Sequence, residues 1–287
     1  MNYSLLIQNR KSTREFTSKK VSAKDEETIL SYFNNGVQKL IPEIKTDLLI
    51  FGDEVQSALE GAAGYNDLLV GAPKYMVLLS EKAGGCGINA GYIMEDLILK
   101  LQDEGLGSCW ITFTDSAQIK AALGISSELD VAAIAAFGYG QKSVKRMHVN
   151  IKSMSNVDIK AKRHYFDPKK KVSEIVFKDE WGNSDAAEEY IGFFDDMLWE
   201  AFYAASLSPS YLNRQPYGFL IKEDRLYLVK TDDKYTTEID SALDLGAVLL
   251  HFTSVASSWS NHIAWNCGKD SEISVPEGYK VIAVSPL

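Results

Sequence analysis

Apolar residues along the chain recur at two spacings. At helical spacing, Ile88, Tyr92, Met94, Leu97, Ile98 and Leu101 predict a helix over Ile88–Glu104 that Gly105 ends. Ser22, followed by Asp25, Glu26 and Glu27 and then by Ile29, Leu30 and Phe33, predicts a second helix. Its positive N-terminal end carries a cap and acidic side chains. Met197, Leu198 and Phe202 share one face of a helix over Asp195–Ala205; Ala242–Ser257 reads as a long apolar helix and Ser116–Ala122 as a short one. Asn2–Gln8 is a short amphipathic stretch, and Val55–Leu59 a helical turn or two. Short apolar runs predict strands at Leu48–Phe51, Tyr75–Leu79, Cys109–Phe113, Val131–Phe137 and Val281–Val284. Tyr217–Ile221 and Leu226–Val229 read as strands paired around a charged turn. From Gln141 to Lys171 cations dominate and apolar periodicity fades, the pattern of a long connection. Strands alternating with helices predict an α/β or α+β fold.

The two halves of the chain carry a faint repeat. At an offset of 155, Gly91 meets Gly246, Ile88 meets Leu243, Met94 meets Leu249, Leu97 meets Phe252 and Trp110 meets Trp265. At an offset of 169, Ile29, Leu30 and Phe33 meet Leu198, Trp199 and Phe202. Any two amphipathic helices align about this well, but the shared order of helix, strand, long helix and strand favours a duplication.

Composition narrows the class. With 287 residues, 46% hydrophobic and 24% charged, the chain is an ordinary globular sequence of two units or one large one. Thirty basic against 39 acidic residues give a net charge of −9, which disfavours duplex nucleic acid as a partner. No apolar run of bilayer length and no secretion leader are expected, so a soluble, cytoplasmic protein without a membrane partner is the expectation. Three scattered cysteines, Cys86, Cys109 and Cys267, form no CxxC pair, and His148, His164, His251 and His262 lack metal-ligand spacing. No metal site is expected, and His251, inside an apolar helix, reads as a satisfied core residue. Gly84-Gly85-Cys86-Gly87 lacks the spacing of a phosphate loop, and no GxSxG occurs.

Two segments concentrate chemistry. Arg10-Lys11-Ser12-Thr13-Arg14 places three cations and two hydroxyls in five residues. If it is extended, Arg10, Ser12 and Arg14 point one way, which suits a phosphate beside a polar ring, although a solvated basic turn has the same composition. The loop Ser206–Tyr217 is bracketed by Pro209 and Pro216 and is dense in directional groups: Ser208, Ser210, Asn213, Arg214 and Gln215. Proline stiffens such a loop for presenting polar groups to a planar ligand.

With these segments in hand, the chain resembles the FMN-dependent nitroreductase family. The matching residues are the arginine segment, the proline loop (Pro209, Ser210, Asn213, Gln215, Pro216), Ala72-Pro73 before a strand, Gly105-Leu106-Gly107 with Trp110, and Gly138-Tyr139. The resemblance touches most of residues 1–140 and 175–287 and implies an α+β, nitroreductase-like fold. One departure matters. The family's proline loop follows the arginine segment after one helix, but here that slot holds Asn34–Pro42, without the motif. The loop occurs after the corresponding helix of the second half, which lacks an arginine segment and has Ser260-Asn-His262 in place of Gly105-Leu-Gly.

Because family members are homodimers with flavin sites at the interface, the resemblance implies a fused pseudo-dimer. Residues 1–175 and 176–287 would be its halves, packed as one unit, monomeric, with one surviving composite site. It implies FMN as cofactor, with Arg10 and Ser12 at the phosphate, aided by a lysine of the segment Pro168–Lys171, and with Lys11, Lys169 and Lys171 among the cofactor-binding residues. Arg14 would lie near flavin N1 and the C2 carbonyl as electrostatic support, with backbone groups of Trp110, Ile111, Thr112 and Phe113 near N5. Pro209, Ser210, Asn213 and Gln215 would approach from the other half. Chemistry would occur at the flavin, with NADH or NADPH as reductant and a nitroaromatic or quinone as small-molecule acceptor. A flavin carrier or sensor without turnover is the alternative.

Overall fold

The computed structural model describes residues 1–66, 68–141, 146–153, 156–162, 168–183, 196–260, 262–268 and 273–287, with backbone alone for 146–153 and 156–162. The N-terminal half runs through helices α1 (Tyr3–Asn9) and α2 (Ala23–Asn35), strand β1 (Thr46–Gly52), the single turn α3 (Gln56–Leu59) and β2 (Lys74–Ser80). The long helix α4 (Cys86–Asp103), β3 (Gly107–Ile111), α5 (Ser116–Leu123) and β4 (Asp130–Gly138) follow. Strands β5 (Arg146–Ser153) and β6 (Asn156–Lys162) form a two-stranded sheet with each other. The C-terminal half contains β7 (Val176–Lys178), α6 (Asp196–Ser206), β8 (Tyr217–Lys222), β9 (Arg225–Lys230), the long helix α7 (Glu238–Ala256), β10 (Asn266–Cys267) and β11 (Lys280–Pro286).

Local chemistry sets the helix ends. The Ser22 side chain accepts from Asp25 N–H while the Asp25 carboxylate accepts from Ser22 N–H, closing both sides of a capping box at α2. Thr237 caps α7 through Asp240 N–H, and Asp115 caps α5. After α4, Gly105 takes φ +79°, which lets Leu106 N–H reach back to the Leu101 carbonyl at 2.8 Å.

Three expectations are corrected. Gln141–Lys171 is not structureless, because it contains the β5–β6 pair. Its apolar residues do alternate (Met147, Val149, Ile151; Val157, Ile159, Ala161), with His148, Asn150, Asp158 and Lys160 between them, a period of two that the basic composition of the surrounding stretch draws attention away from. The strand expected over Cys109–Phe113 ends at Ile111, since Phe113 pairs instead with Ala63. Helix α7 is, by length and composition, apolar enough to cross a membrane, and 83% of that stretch is buried inside the protein. Of the helix expected over Asp195–Ala205, Asp195 lies outside the described residues, and the remainder runs to Ser206.

The two larger sheets share one topology. The first has strand order β1-β2-β4-β3 and the second β8-β9-β11-β10 with β7 added beyond β8. The first is antiparallel throughout; in the second only the added β7–β8 pair is parallel. Within each half a helix precedes the first two strands (α2, α6), and a long helix separates the second and third (α4, α7). One face of the first sheet, with Met76, Leu78, Ala133 and Phe137, packs on Ile93, Met94 and Leu97 of α4. In the second, Phe219 and Leu228 pack with Phe202 of α6 and Phe252 of α7, whose rings lie 5.1–5.5 Å apart. Helix α1 crosses over: its Leu6 and Ile7 are buried in the core of the C-terminal half.

The long helices α4 and α7 meet at two glycines. A Cβ on Gly91 would stand 2.3 Å from the Leu243 carbonyl oxygen, and one on Gly246 would stand 2.0 Å from that of Ile88. The contact is reciprocal, since Ile88 corresponds to Leu243 and Gly91 to Gly246 at the offset of 155. Backbones this close tolerate no side chain at either position. Gly91→Ala or Gly246→Ala is expected to destabilise the protein by at least about 3 kcal/mol. Gly84→Ala, where an added Cβ meets nothing within 4 Å, should change stability little. Urea denaturation of the three variants checks this.

Candidate functional site

The arginine segment leaves α1 and runs extended along the β3 edge of the first sheet. Thr13 N–H donates to the Ser108 carbonyl at 2.7 Å and Thr17 N–H to that of Tyr139 at 2.7 Å. Ser12 and Ser108 form a bridge, as do Phe16 and Gly140. A Cβ on Gly107 would come within 2.5 Å of Thr13 Oγ1, so this glycine is what admits the segment to the edge. Lys11 and Arg14 are exposed, and among the described residues neither forms an ion pair. Ser12 is half-buried between them.

Arg10 goes elsewhere, contrary to the expectation that it shares a face with Ser12 and Arg14. It caps α1, with its N–H on the Ile7 carbonyl, so strand-like alternation begins only after it. Its guanidinium, 8% exposed, turns inward and donates through Nε to Glu95 Oε1 at 2.7 Å. Glu95 is fully buried in α4 and also accepts from Trp110 Nε1 at 2.8 Å and faces His251 Nε2 at 3.0 Å. Burial alone would push this carboxyl up. The Arg10 charge, with the His251 and Trp110 contacts, outweighs it and holds the group below the usual carboxylate value. Burial raises the Cys109 thiol nearby, opposed by Arg14 and Arg10.

The proline loop is held from within. Leu212, Asn213 and Gln215 adopt φ between +47° and +56°, a strained set for non-glycine residues. Ser210 Oγ accepts Gln215 N–H at 2.8 Å; Gln215, 1% exposed, donates to the Ser206 carbonyl and accepts Lys170 N–H. Lys169 Nζ donates to the Ser208 carbonyl at 2.9 Å and to Asn213 Oδ1 at 2.6 Å, and the Asn213 amide donates to the Pro168 carbonyl. Lys170 Nζ holds the Gln215 carbonyl at 2.7 Å. Arg214 pairs with Asp233 at 3.2 Å.

The loop then closes on α7. Tyr211 N–H donates to both Asp244 oxygens at 2.9 and 3.0 Å, and the Tyr211 ring meets Tyr65 edge-on at 6.1 Å. One turn earlier on α7, Asp240 accepts from Thr112 Oγ1 at 2.7 Å. The Thr112 carbonyl accepts from Gly64 N–H at 2.8 Å. Asp240, Asp244 and His251 share one face of α7. That face is touched by Thr112, just after β3, and by Glu95, the partner of Arg10, from one half of the chain and by the proline loop from the other. Burial raises both carboxyls, Asp244 well above its ordinary value, against the opposing hydrogen bonds from Tyr211, Thr112 and Thr237.

The structure gives the sequence-predicted residues different tasks. Lys11, Ser12 and Arg14 offer polar groups outward. Arg10 and Gln215 are turned into the protein, away from the ligand contacts expected of them. Lys169 and Asn213 brace the proline loop, whereas Lys171 is exposed. Trp110 is half-buried, the Thr112 carbonyl accepts from Gly64 N–H, and Phe113 forms a bridge with Ala63. Ser210 Oγ holds the loop, and Pro209 is half-buried at its start. Sequence reasoning missed Glu95, Asp240 and Asp244, whose only signal was a carboxylate inside an apolar helix. His251 does have its ring satisfied and fully buried, as read from the sequence.

The model of the family described as "Putative TM nitroreductase" matches residues 3–179 of the chain. A solved structure described as a putative nitroreductase of Thermotoga maritima is 17% identical, with a TM-score of 0.59 over 100% of this chain and 94% of that one. The fold is accordingly α+β and nitroreductase-like. A nitroreductase family protein of Clostridium novyi (21% identity, TM-score 0.44) covers 50% of this chain and 87% of its own. An FMN-dependent nitroreductase of Clostridium difficile (20%, TM-score 0.38) covers 47% and 86%. No curated protein matches the chain.

The raised carboxyls have a consequence for stability. Between the ordinary carboxylate value of 3.8 and their raised values, the folded protein keeps protons that the unfolded chain has released. Stability therefore falls as pH rises through that window, by up to about 1.4 kcal/mol per pH unit for one whole proton. Asp244→Asn keeps an acceptor for Tyr211 N–H and removes one titration, so its stability should fall less over the same pH range. Denaturation midpoints measured from pH 4 upward give the comparison; equal slopes would refute the assignment.

Proposed function

We propose that this chain, which belongs to the nitroreductase family described above, is an FMN-dependent oxidoreductase that takes hydride from NADH or NADPH and passes electrons to a nitroaromatic or quinone-like acceptor. The observation that carries this reading is the unpaired cation set on the arginine segment. In a protein of net charge −9, Lys11 and Arg14 stand exposed and without a carboxylate partner among the described residues. They flank Ser12 on a stretch held rigidly against a sheet edge, an arrangement that fits a phosphorylated, anionic cofactor. A segment that served only as a solvated turn would not need Thr13 and Thr17 hydrogen-bonded into the sheet.

Bound flavin would supply the two-electron redox chemistry. The protein's own contribution is binding and electrostatics. Lys11 and Ser12 would hold the phosphate, and Arg14 would favour negative charge on the reduced ring. The proline loop, braced by Lys169, Lys170 and Gln215, would form a preorganised wall from the other half, with Tyr211 and Leu212 at its tip. Lys171 is left with its amine available to a ligand anion.

We further propose that the chain is a fused pseudo-dimer, monomeric, with one composite site between residues 1–175 and 176–287. The matching strand orders and the reciprocal glycine contact support this reading, as does α1, which packs into the core of the opposite half. Only the first half has an arginine segment and only the second has a proline loop, so one site per chain follows.

Titration with FMN followed by anaerobic NADH and NADPH tests the reading. One FMN per chain should bind and bleach on reduction. Lys11→Ala with Arg14→Ala should weaken FMN binding about a hundredfold, through loss of two charged contacts. Lys82→Ala, exposed at the far end of the same sheet, should leave binding unchanged. Flavin that binds but is reduced no faster than free FMN would point to a carrier or sensor. Equal FMN affinity in the double variant would reject the site.

A further inference from the structure

The hydrogen-bond pattern around His251 requires more hydrogens than a neutral imidazole carries. The ring is fully buried. Nδ1 lies 3.1 Å from the Ala204 carbonyl oxygen, which can only accept, so Nδ1 must donate. Nε2 lies 3.0 Å from Glu95 Oε1. That oxygen also accepts from Arg10 Nε, and Oε2 accepts from Trp110 Nε1. A carboxylate surrounded by donors on both oxygens is an acceptor toward His251 as well. Both ring nitrogens therefore face acceptors.

We propose that Arg10, Glu95 and His251 form a buried triad of two cations and one anion, with hydrogens on both His251 ring nitrogens, and that Glu95 and His251 are positioning residues for the arginine segment. The residues come from three elements: Arg10 from the end of α1, Glu95 from α4 and His251 from α7. Two other titratable groups lie near Glu95: Tyr217 of β8, whose phenol stays neutral through burial and donates to the Ala205 carbonyl, and Asp96 of α4, whose carboxyl burial raises. The triad anchors residue 10, and the Thr13–Ser108 hydrogen bond anchors residue 13. Lys11 and Ser12 are stretched between these two points. Without His251, Glu95 loses its hydrogen-bonded contact from α7, and the first anchor is held to the half that carries the proline loop by apolar packing alone. The net positive charge also favours a reduced, anionic ring over an oxidised one; this last consequence rests on the flavin reading above, while the hydrogen count does not.

Nitrogen-15 NMR of the cofactor-free wild-type protein at neutral pH tests the hydrogen count. Two ring N–H signals from His251, assigned by their loss in His251→Gln, are the expected result. A single ring N–H would overturn the triad. In the same cofactor-free His251→Gln protein, the backbone amides of Lys11–Arg14 should shift and exchange faster with solvent; unchanged amides would overturn the positioning role. If FMN binds, the variant should weaken reduced FMN about tenfold more than oxidised FMN, and equal weakening would reject the electrostatic effect. Should wild-type protein bind no FMN, the flavin reading fails and the two cofactor-free measurements still decide the triad. Should His251→Gln not fold, the wild-type ring spectrum, assigned through contacts to Ala204, decides the hydrogen count, and amide exchange in Arg10→Lys, which shortens the same anchor, decides the positioning role.

Discussion

The contact between Gly91 and Gly246 governs the architecture, because the two longest helices can approach only where neither has a side chain. Each glycine meets the carbonyl backbone of the other helix, and the contacts are reciprocal. Close backbone approach brings the flanking faces of α4 and α7 into register. That register places Glu95 against His251 on one side of the crossing. A bulkier residue at either glycine would separate the helices and with them the two halves of the chain.

From this crossing the site follows as a matter of topology. Each sheet packs against its own long helix, so fixing the helices fixes both sheets. The residue just after β3 then meets the same flank of α7 as the loop preceding β8. Thr112 reaches Asp240 and Tyr211 reaches Asp244 along successive turns of that helix. The sheet that carries the arginine segment on its edge and the proline loop are thus both tied to α7, although some 200 residues separate the two segments. Their rigidity has separate origins: sheet-edge hydrogen bonds for the first, lysine braces and a buried glutamine for the second.

Buried charge is concentrated where the halves meet. Arg10, Glu95 and His251 form a connected group, while Asp240 and Asp244 lie on the same helix and are harder to ionise. Removing one member of such a group leaves another charge without compensation, so these residues couple the stability of the junction to its electrostatics. The contrast with the exposed Lys11 and Arg14 is instructive. Neighbours in one five-residue segment serve as an internal anchor and as outward-facing cations.

Much of the fold is legible in local patterns. Helix and strand positions follow from apolar spacing and from caps such as Ser22 with Asp25, and the Gly91–Gly246 alignment already hints at related halves. Local interactions act over a few residues, so a sequence displays them directly. The β5–β6 pair escapes because its short alternation lies within a stretch whose composition is that of a basic connection. The fate of each polar side chain is decided only in three dimensions. Arg10 and Arg14 look equivalent in the sequence, yet one is drawn to Glu95 and the other is left in solvent, because Arg10 ends a helix and Arg14 follows three residues of extended chain. Gln215 and Asn213 are legible as loop residues but not as the loop's own supports. The Ser206 carbonyl lies within the loop itself, but Lys169, Lys170 and the Pro168 carbonyl approach only when a distant segment packs against it. Residue type and spacing determined which groups could do chemistry; burial and the positions of donors and acceptors, which exist only in the folded chain, decided which of them face inward and which remain available to a ligand.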